Sequence, residues 1–167
     1  MLNILLELPM ALNVGDRAPS FTLYDQDRTK RSLDEFLGKP VVLAFFPGAF
    51  TGVCDTEMCT LRDSMQRFSE ANAHVIGISV DPPFVLKEFA TKYSLPFVLL
   101  SDFDRSVSKL YGVLFENLAG LEGYHTSNRA VFILDGSGTI RYIWVASPNP
   151  GVEPPYDEVI AQTKAIA

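Results

Sequence analysis

The apolar positions of this chain fall into short continuous runs. Residues 41–46, 74–80 and 97–100 are almost unbroken apolar stretches. Such runs are typical of strands that are buried on both faces of a sheet. Two further runs, residues 130–134 and 139–145, flank an Asp-Gly-Ser-Gly turn signal. They predict an antiparallel hairpin.

Helical spacing occupies the segments between these runs. Residues 53–70 are predicted to form one helix, because apolar side chains recur there at three- and four-residue steps. These side chains are Met58, Leu61, Met65 and Phe68. Residues 83–93 predict a helix that begins at a proline, and residues 156–167 predict a terminal helix. Asp104 predicts the N-cap of a short helix that ends before Gly112. Strands that alternate with helices indicate an α/β domain.

The chain of 167 residues has the length of one domain. We predict that residues 12–167 form this domain and that residues 1–11 are an N-terminal extension. The extension is apolar, but it carries Glu7 and no positively charged segment. It therefore does not resemble a secretory signal. No apolar run approaches the ~18 residues expected of a membrane span.

Composition narrows the classes of partner. Hydrophobic residues make up 47%, charged residues make up 20%, and the net charge is −6. Without a Lys/Arg cluster, this charge argues against a nucleic-acid or membrane partner. The two cysteines, Cys54 and Cys59, have no export signal upstream, so we expect a reducing, cytosolic setting. In such a reducing setting, a close cysteine pair is more often catalytic or metal-binding than structural.

Cys54 lies at the point where a Pro/Gly loop leaves a buried strand and enters a helix. Free backbone N–H groups and the positive end of the helix dipole favour a thiolate, which is the nucleophilic form of cysteine. Thr51 lies three residues earlier, where its hydroxyl can bond the sulfur or an incoming oxygen. Pro47 can shield the site from water. From placement alone, a buried structural cysteine explains Cys54 equally well.

Two acidic residues close to Cys54 complicate this interpretation. Asp55 and Glu57, if unpaired, would oppose formation of a thiolate. An active site therefore needs a cation from elsewhere in the chain. Arg129 is a candidate because it directly precedes a predicted buried strand. A surface arginine at the start of a strand is the alternative.

The spacing Pro47-x-x-x-Thr51-x-x-Cys54 resembles the signature of the peroxiredoxin (AhpC/TSA-like) family. Four further segments also resemble this family: 14–23, 78–84, 101–112 and 128–135. The resemblance implies a thioredoxin-like fold, with a mixed central sheet flanked by helices and an N-terminal β-hairpin. It implies thiol-dependent reduction of hydrogen peroxide and alkyl hydroperoxides by a monomer or homodimer. A thioredoxin-like or other thiol would be the reductant, without cofactor or metal.

The resemblance also implies roles by position. Cys54 would attack the peroxide and become a sulfenic acid, and Thr51 would hold the peroxide oxygens. Pro47 would shield the sulfur, and Arg129 would stabilise the thiolate and polarise the peroxide. Glu57 matches a helix position that often carries an acid orienting this arginine.

The role of Cys59 is less settled. Its five-residue step from Cys54 resembles the peroxiredoxin Q branch, also called bacterioferritin comigratory proteins. In that branch the second cysteine resolves the first as an intramolecular disulfide. The loop sequence Pro-Gly-Ala-Phe-Thr-Gly-Val-Cys also resembles one-cysteine and atypical two-cysteine branches. An external thiol that resolves Cys54, with Cys59 as a small helix residue, therefore stays open.

Three other functions compete with a peroxidase. A thioredoxin-like disulfide reductase needs Cys-x-x-Cys, whereas four residues separate the cysteines here. A zinc module built from Cys54, Cys59, His74 and His125 lacks the usual paired spacing. An inactive binding scaffold is disfavoured, because four residues of the family's site are present together.

Overall fold

The computed structural model describes residues 11–167. The predicted extension over residues 1–11 therefore lies, apart from its last residue, outside the described residues. The strands are β1 Thr22–Asp25, β2 Lys30–Ser32, β3 Val41–Phe45, β4 His74–Ser79, β5 Val98–Ser101, β6 Leu114–Phe115, β7 Thr126–Ser127, β8 Ala130–Leu134 and β9 Ile140–Val145. The helices are α1 Gly52–Asp63, α2 Met65–Glu70, α3 Pro83–Tyr93, α4 Ser106–Leu110 and α5 Tyr156–Ala165, with 3₁₀ turns at Leu33–Phe36 and Leu118–Gly120. No helix in this part of the chain is long and apolar enough to cross a membrane.

The central sheet is mixed, with the strand order β2-β1-β5-β4-β3-β8-β9. Strand β4 lies parallel to both β3 and β5, whereas β8 and β9 join antiparallel on the far side of β3. Strands β1 and β2 form an antiparallel pair at the other edge. The mixed central sheet and the N-terminal hairpin are thus confirmed. So is the hairpin between β8 and β9.

Strand β3 shows why the apolar runs are unbroken. All of its residues are buried, and successive side chains enter different cores. Leu43 and Phe45 join a core closed by α4 and the N-terminal segment, and Val42 and Ala44 join a core closed by α1, α2, α3 and α5. A strand covered on both faces needs an apolar residue at every position.

The single helix predicted over residues 53–70 is wrong. The segment contains two helices that meet at Ser64, which has ψ 0°. The N–H of Ser64 is shared between the carbonyls of Thr60 and Leu61, so the last turn of α1 tightens and ends. Helix α2 then packs against α5. The apolar spacing continued through the break because both helices face the same core.

The N-cap predicted at Asp104 is also wrong. Helix α4 begins at Ser106, with Arg105 in a left-handed conformation at the cap position. The buried carboxylate of Asp102 accepts hydrogen bonds from the N–H groups of Val107 and Ser108, at 3.0 and 2.7 Å. Asp104 bonds only the first amide of the helix. Asp102 is fully buried, so it is the acid that the first turn of α4 satisfies.

Candidate active site

The loop after β3 delivers Cys54 to the start of α1. Phe46 continues the buried strand, and the chain then turns through Pro47, which is also buried. The N–H of Ala49 donates to the carboxylate of Asp81 at 2.8 Å, and this bond ties the loop to the end of β4. The same carboxylate accepts from Ser79, so it is held in place from β4 itself. Burial raises the pKa of Asp81, against these hydrogen bonds, which lower it.

Cys54 lies in the first turn of α1, where backbone N–H groups have no intrahelical partner. Its side chain is buried, with 1% exposure. Thr51 occupies the N-cap position, but its hydroxyl donates to the carbonyl of Gly48 at 2.8 Å and makes no capping bond. Because its proton is directed to Gly48, the Thr51 oxygen is left to accept a hydrogen bond.

Arg129 reaches the sulfur from the opposite side of the site. It directly precedes β8, which pairs with β3, and this pairing brings it beside the active-site loop. Its side chain is 2% exposed. One terminal nitrogen donates to the Cys54 sulfur at 3.1 Å, across 75 residues of sequence. Its Nε donates to the carbonyl of Pro150 at 2.9 Å, which fixes the plane of the guanidinium.

Glu57 forms a buried ion pair with the other terminal nitrogen of Arg129. The carboxyl group is fully buried, and its second oxygen has no hydrogen-bond partner among residues 11–167. Burial raises the pKa of Glu57 to about 7, while Arg129 pulls that pKa down and Glu153 adds to the rise. Glu57 and Cys54 therefore share one cation.

The pKa of Arg129 reports the same arrangement. Burial alone would lower this pKa, but the acidic groups of Glu57 and Cys54 outweigh it and raise the pKa above its ordinary value. Arg129 thus stays charged within the site. This ion pair offsets part of the apparent liability of an acid at position 57, although burial still raises its pKa.

A cavity of about 510 Å³ opens above Cys54 and Arg129. Its walls come from the loop before α1, from the segment after β6 and from the turn before α5. They are mainly apolar: Pro47, Val53, Phe115, Leu118, Ala119 and Pro150. Such a lining suits a small molecule that carries an apolar group, with Cys54 and Arg129 as the polar groups at its floor.

Sequence reasoning missed several of these contributors. Phe115, Leu118 and Pro150 carry no reactive group, so nothing in their residue types indicated a site. Asp81 belongs to a segment that resembles the family, but no role followed from it. The long-range pairing of β3 with β8 brings most of these parts together.

Cys59 lies on the same continuous helix as Cys54, and both thiols are free. It is half-buried and does not line the cavity.

The two histidines lie away from the cavity. His74 packs edge-on against Phe36, and His125 accepts a hydrogen bond from the N–H of Asn117. Within residues 11–167, no three His, Cys, Asp or Glu side chains converge as metal ligands.

The chain is similar to known proteins over most of its length. The sequence model of the AhpC/TSA family matches residues 14–143. Chloroplastic peroxiredoxin Q of Populus jackii is 43% identical over 133 residues, covering 80% of this chain and 60% of the relative. A putative peroxiredoxin bcp of Coxiella burnetii is 38% identical over 135 residues, covering 81% of this chain and 89% of the relative. The chain thus spans about 60% of the plant relative's length.

Solved structures show the same likeness. Peroxidoxin BcpB of Mycobacterium tuberculosis has a TM-score of 0.81 at 31% identity, covering 92% of this chain and 97% of its own. A peroxiredoxin-like protein from Aquifex aeolicus has a TM-score of 0.84 at 30% identity, covering 96% of this chain and 91% of its own. These neighbours confirm the thioredoxin-like fold.

Proposed function

The chain belongs to the AhpC/TSA family, and from that premise we propose that it is a peroxiredoxin whose Cys54 thiolate reduces peroxides. The observation that carries the proposal is the contact of 3.1 Å between the Arg129 guanidinium and the Cys54 sulfur. This contact lies at a helix start and at the floor of an apolar cavity. A cation and free amides together favour the thiolate.

In the first step, the Cys54 thiolate attacks one oxygen of the peroxide O–O bond. The S–O bond forms as the O–O bond breaks, and the leaving oxygen takes a proton to become water or an alcohol. Cys54 is left as a sulfenic acid. Arg129 stabilises the negative charge that moves from sulfur to the leaving oxygen.

Thr51 and Pro47 position the peroxide. Because the Thr51 hydroxyl donates to Gly48, its oxygen accepts the O–H of an incoming hydroperoxide. Pro47 has no N–H and forms part of the apolar wall, so it keeps water from the sulfur. Glu57 holds Arg129 in orientation through the buried ion pair.

In the second step, the Cys59 thiol displaces the sulfenic oxygen as water and forms a disulfide with Cys54. Five helical steps place the two Cα atoms ~8.7 Å apart and turn the side chains by about 140°. A disulfide needs Cα atoms within about 7 Å. The bond therefore cannot form while both cysteines lie in a regular helix. Either the first turn of α1 unwinds, or the turn that carries Cys59 opens and this residue swings out.

The substrates we propose are hydrogen peroxide and small alkyl hydroperoxides, because the cavity is apolar around a polar floor. A thioredoxin-like thiol would reduce the disulfide.

The plant relatives are named chloroplastic. A cytosolic setting for this chain stays a prediction. Its assembly as a monomer or homodimer also stays a prediction.

The test is peroxide consumption by the wild type, Cys54→Ser and Cys59→Ser, each with thioredoxin and with dithiothreitol. We expect Cys54→Ser to be inactive with both reductants. Cys59→Ser should keep activity with dithiothreitol and lose it with thioredoxin. Activity of Cys54→Ser would contradict the nucleophile. Full activity of Cys59→Ser with thioredoxin would favour resolution by an external thiol.

A further inference from the structure

Helix α1 carries a second polar face, turned away from Arg129. At about 100° per residue, Asp55, Cys59 and Arg62 share one side of the helix, roughly 80 to 140° from Cys54. The C-terminal end of α3 lies against this side. The Tyr93 hydroxyl donates to Asp55 at 2.5 Å, and Arg62 donates to the Tyr93 carbonyl at 2.7 Å. Along α1, Cys59 therefore lies between two residues that both hydrogen-bond Tyr93.

Asp55 depends on Tyr93. One carboxylate oxygen of Asp55 is buried and has no hydrogen-bond partner within the part of the chain that the structure describes. The other oxygen accepts the Tyr93 hydroxyl. This hydrogen bond, together with partial burial and the nearby charges of Asp55 and Cys59, raises the pKa of Tyr93. Removing the Tyr93 hydroxyl would leave this half-buried carboxylate without a side-chain hydrogen bond. An unsatisfied acceptor of this kind costs free energy.

The ring of Tyr93 packs against a chain of two further aromatic rings. Its ring packs edge-on against Phe89 at 5.3 Å, and Phe89 packs edge-on against Phe50 at 5.3 Å. Phe89 is fully buried. Because Phe50 lies four residues before Cys54 and Asp55 directly follows it, the end of α3 contacts the chain on both sides of the nucleophile. The first turn of α1, which is one of the two places where the helix can open for resolution, is thus attached to α3.

We propose that the Tyr93 hydroxyl is a latch on the first turn of α1 and that it sets the rate at which Cys59 resolves the oxidised Cys54. Tyr93 is a positioning residue that acts through Asp55 and touches no substrate. The inference rests on the proposed role of Cys59. In the step that it controls, the S–O bond of the sulfenic acid breaks, an S–S bond forms, and the Cys59 proton leaves with the hydroxyl as water.

The latch should affect the peroxide step and the resolving step differently. While it is closed, Cys54 stays in the folded pocket beside Arg129, which is the geometry that the peroxide reaction needs. Opening it removes Cys54 from the pocket and brings it towards Cys59. A weaker latch should therefore leave the reaction with peroxide unchanged, accelerate disulfide formation and reduce over-oxidation of Cys54 to sulfinic acid.

The test compares wild type with Tyr93→Phe, which removes only the hydroxyl, and with the control Tyr24→Phe. Tyr24 lies on β1 at the far edge of the sheet, 37% exposed. Rapid mixing with one equivalent of hydrogen peroxide, followed by alkylation and mass spectrometry, separates sulfenic acid from disulfide. We expect Tyr93→Phe to form disulfide about tenfold faster, the factor that ~1.4 kcal/mol gives. The peroxide step and the control should match wild type.

Amide exchange of the reduced proteins gives a second readout that does not require a disulfide. Residues 52–59 should exchange faster in Tyr93→Phe, because local opening of this turn costs less free energy. In an Asp55→Asn background the same substitution should have a smaller effect, since the two groups act together. An unchanged exchange rate or an unchanged disulfide rate in Tyr93→Phe would overturn the latch. If wild-type Cys59 stayed alkylatable after peroxide, the resolving role would be wrong, while amide exchange would still decide the latch.

Discussion

Replacing Glu57 with Gln tests how the buried acid titrates beside Arg129. The folded-state pKa of Glu57 is raised from an ordinary 4.5 to about 7, chiefly by burial. Between these two pH values the folded protein keeps the proton on Glu57 and the unfolded chain loses it. The stabilising contribution is therefore present below about pH 4.5 and is lost as the pH rises through about 7. At 1.36 kcal/mol per pKa unit, the loss between pH 5 and pH 8 is about 2 to 3 kcal/mol.

Urea unfolding, followed by circular dichroism at pH 5, 6, 7 and 8, measures how much Glu57 contributes to the free energy of unfolding at each pH. Both proteins should carry Cys54→Ser, so that the thiol does not titrate. The quantity of interest is the unfolding free energy of the parent minus that of Glu57→Gln at each pH. We expect this difference to fall by about 2 to 3 kcal/mol from pH 5 to pH 8. Glu88→Gln, at an exposed position of α3, is the matched control and should give a nearly flat difference.

The sign of the slope distinguishes two physical accounts of the site. If attraction to Arg129 outweighed burial, the pKa of Glu57 would lie below 4.5. The difference in unfolding free energy would then rise between pH 3 and pH 5 and stay flat above. A flat or rising difference between pH 5 and pH 8 would therefore refute the burial argument. Such a result would mean that Arg129 compensates the buried carboxylate completely.

Three other predictions concern Arg129, Asp102 and the oxidised protein. Arg129→Met should slow the reaction of Cys54 with peroxide by about 10- to 100-fold, because a charge-assisted hydrogen bond is lost, while circular dichroism stays that of the wild type. Asp102→Ala should lower the free energy of unfolding by about 2 to 4 kcal/mol in urea, because the first turn of α4 loses its buried acceptor. Oxidation should increase amide exchange over residues 54–60, and a disulfide-bonded protein with an intact helix there would contradict the proposed second step.

The fold was largely predictable because the apolar pattern carries it. Strands buried on both faces appear as continuous runs, and β3, β4 and β8 were placed within one or two residues of their observed bounds. The pattern could not detect the break at Ser64, since the apolar spacing runs through it without interruption. The sequence also placed the N-cap of α4 at Asp104, because it gave no sign that Asp102 is buried and accepts from the first turn of this helix.

The site was predictable only in part. Helix geometry places Glu57 near the face of Cys54, three residues along, so their proximity follows from sequence. Arg129 was a candidate from its place before a predicted strand, but its approach to Cys54 rested on the resemblance, because 75 residues separate the two. The bond between Asp55 and Tyr93 had no signal at all, although Asp55 was noted as an acid near the sulfur. Contacts between distant segments depend on the register of the sheet, which a single sequence does not reveal.

The contacts of Arg129 explain why an arginine stands at this position. Its Nε bonds the carbonyl of Pro150, one terminal nitrogen bonds Glu57, and the other bonds Cys54. These three acceptors lie in different directions around one planar group, which matches the rigid fork of a guanidinium. A lysine would bring the same charge as a single point, with no plane to fix. The arrangement directs a full positive charge at the sulfur although burial alone would lower the pKa of Arg129. As the pH passes its pKa of about 7, Glu57 becomes the anion that offsets this buried charge.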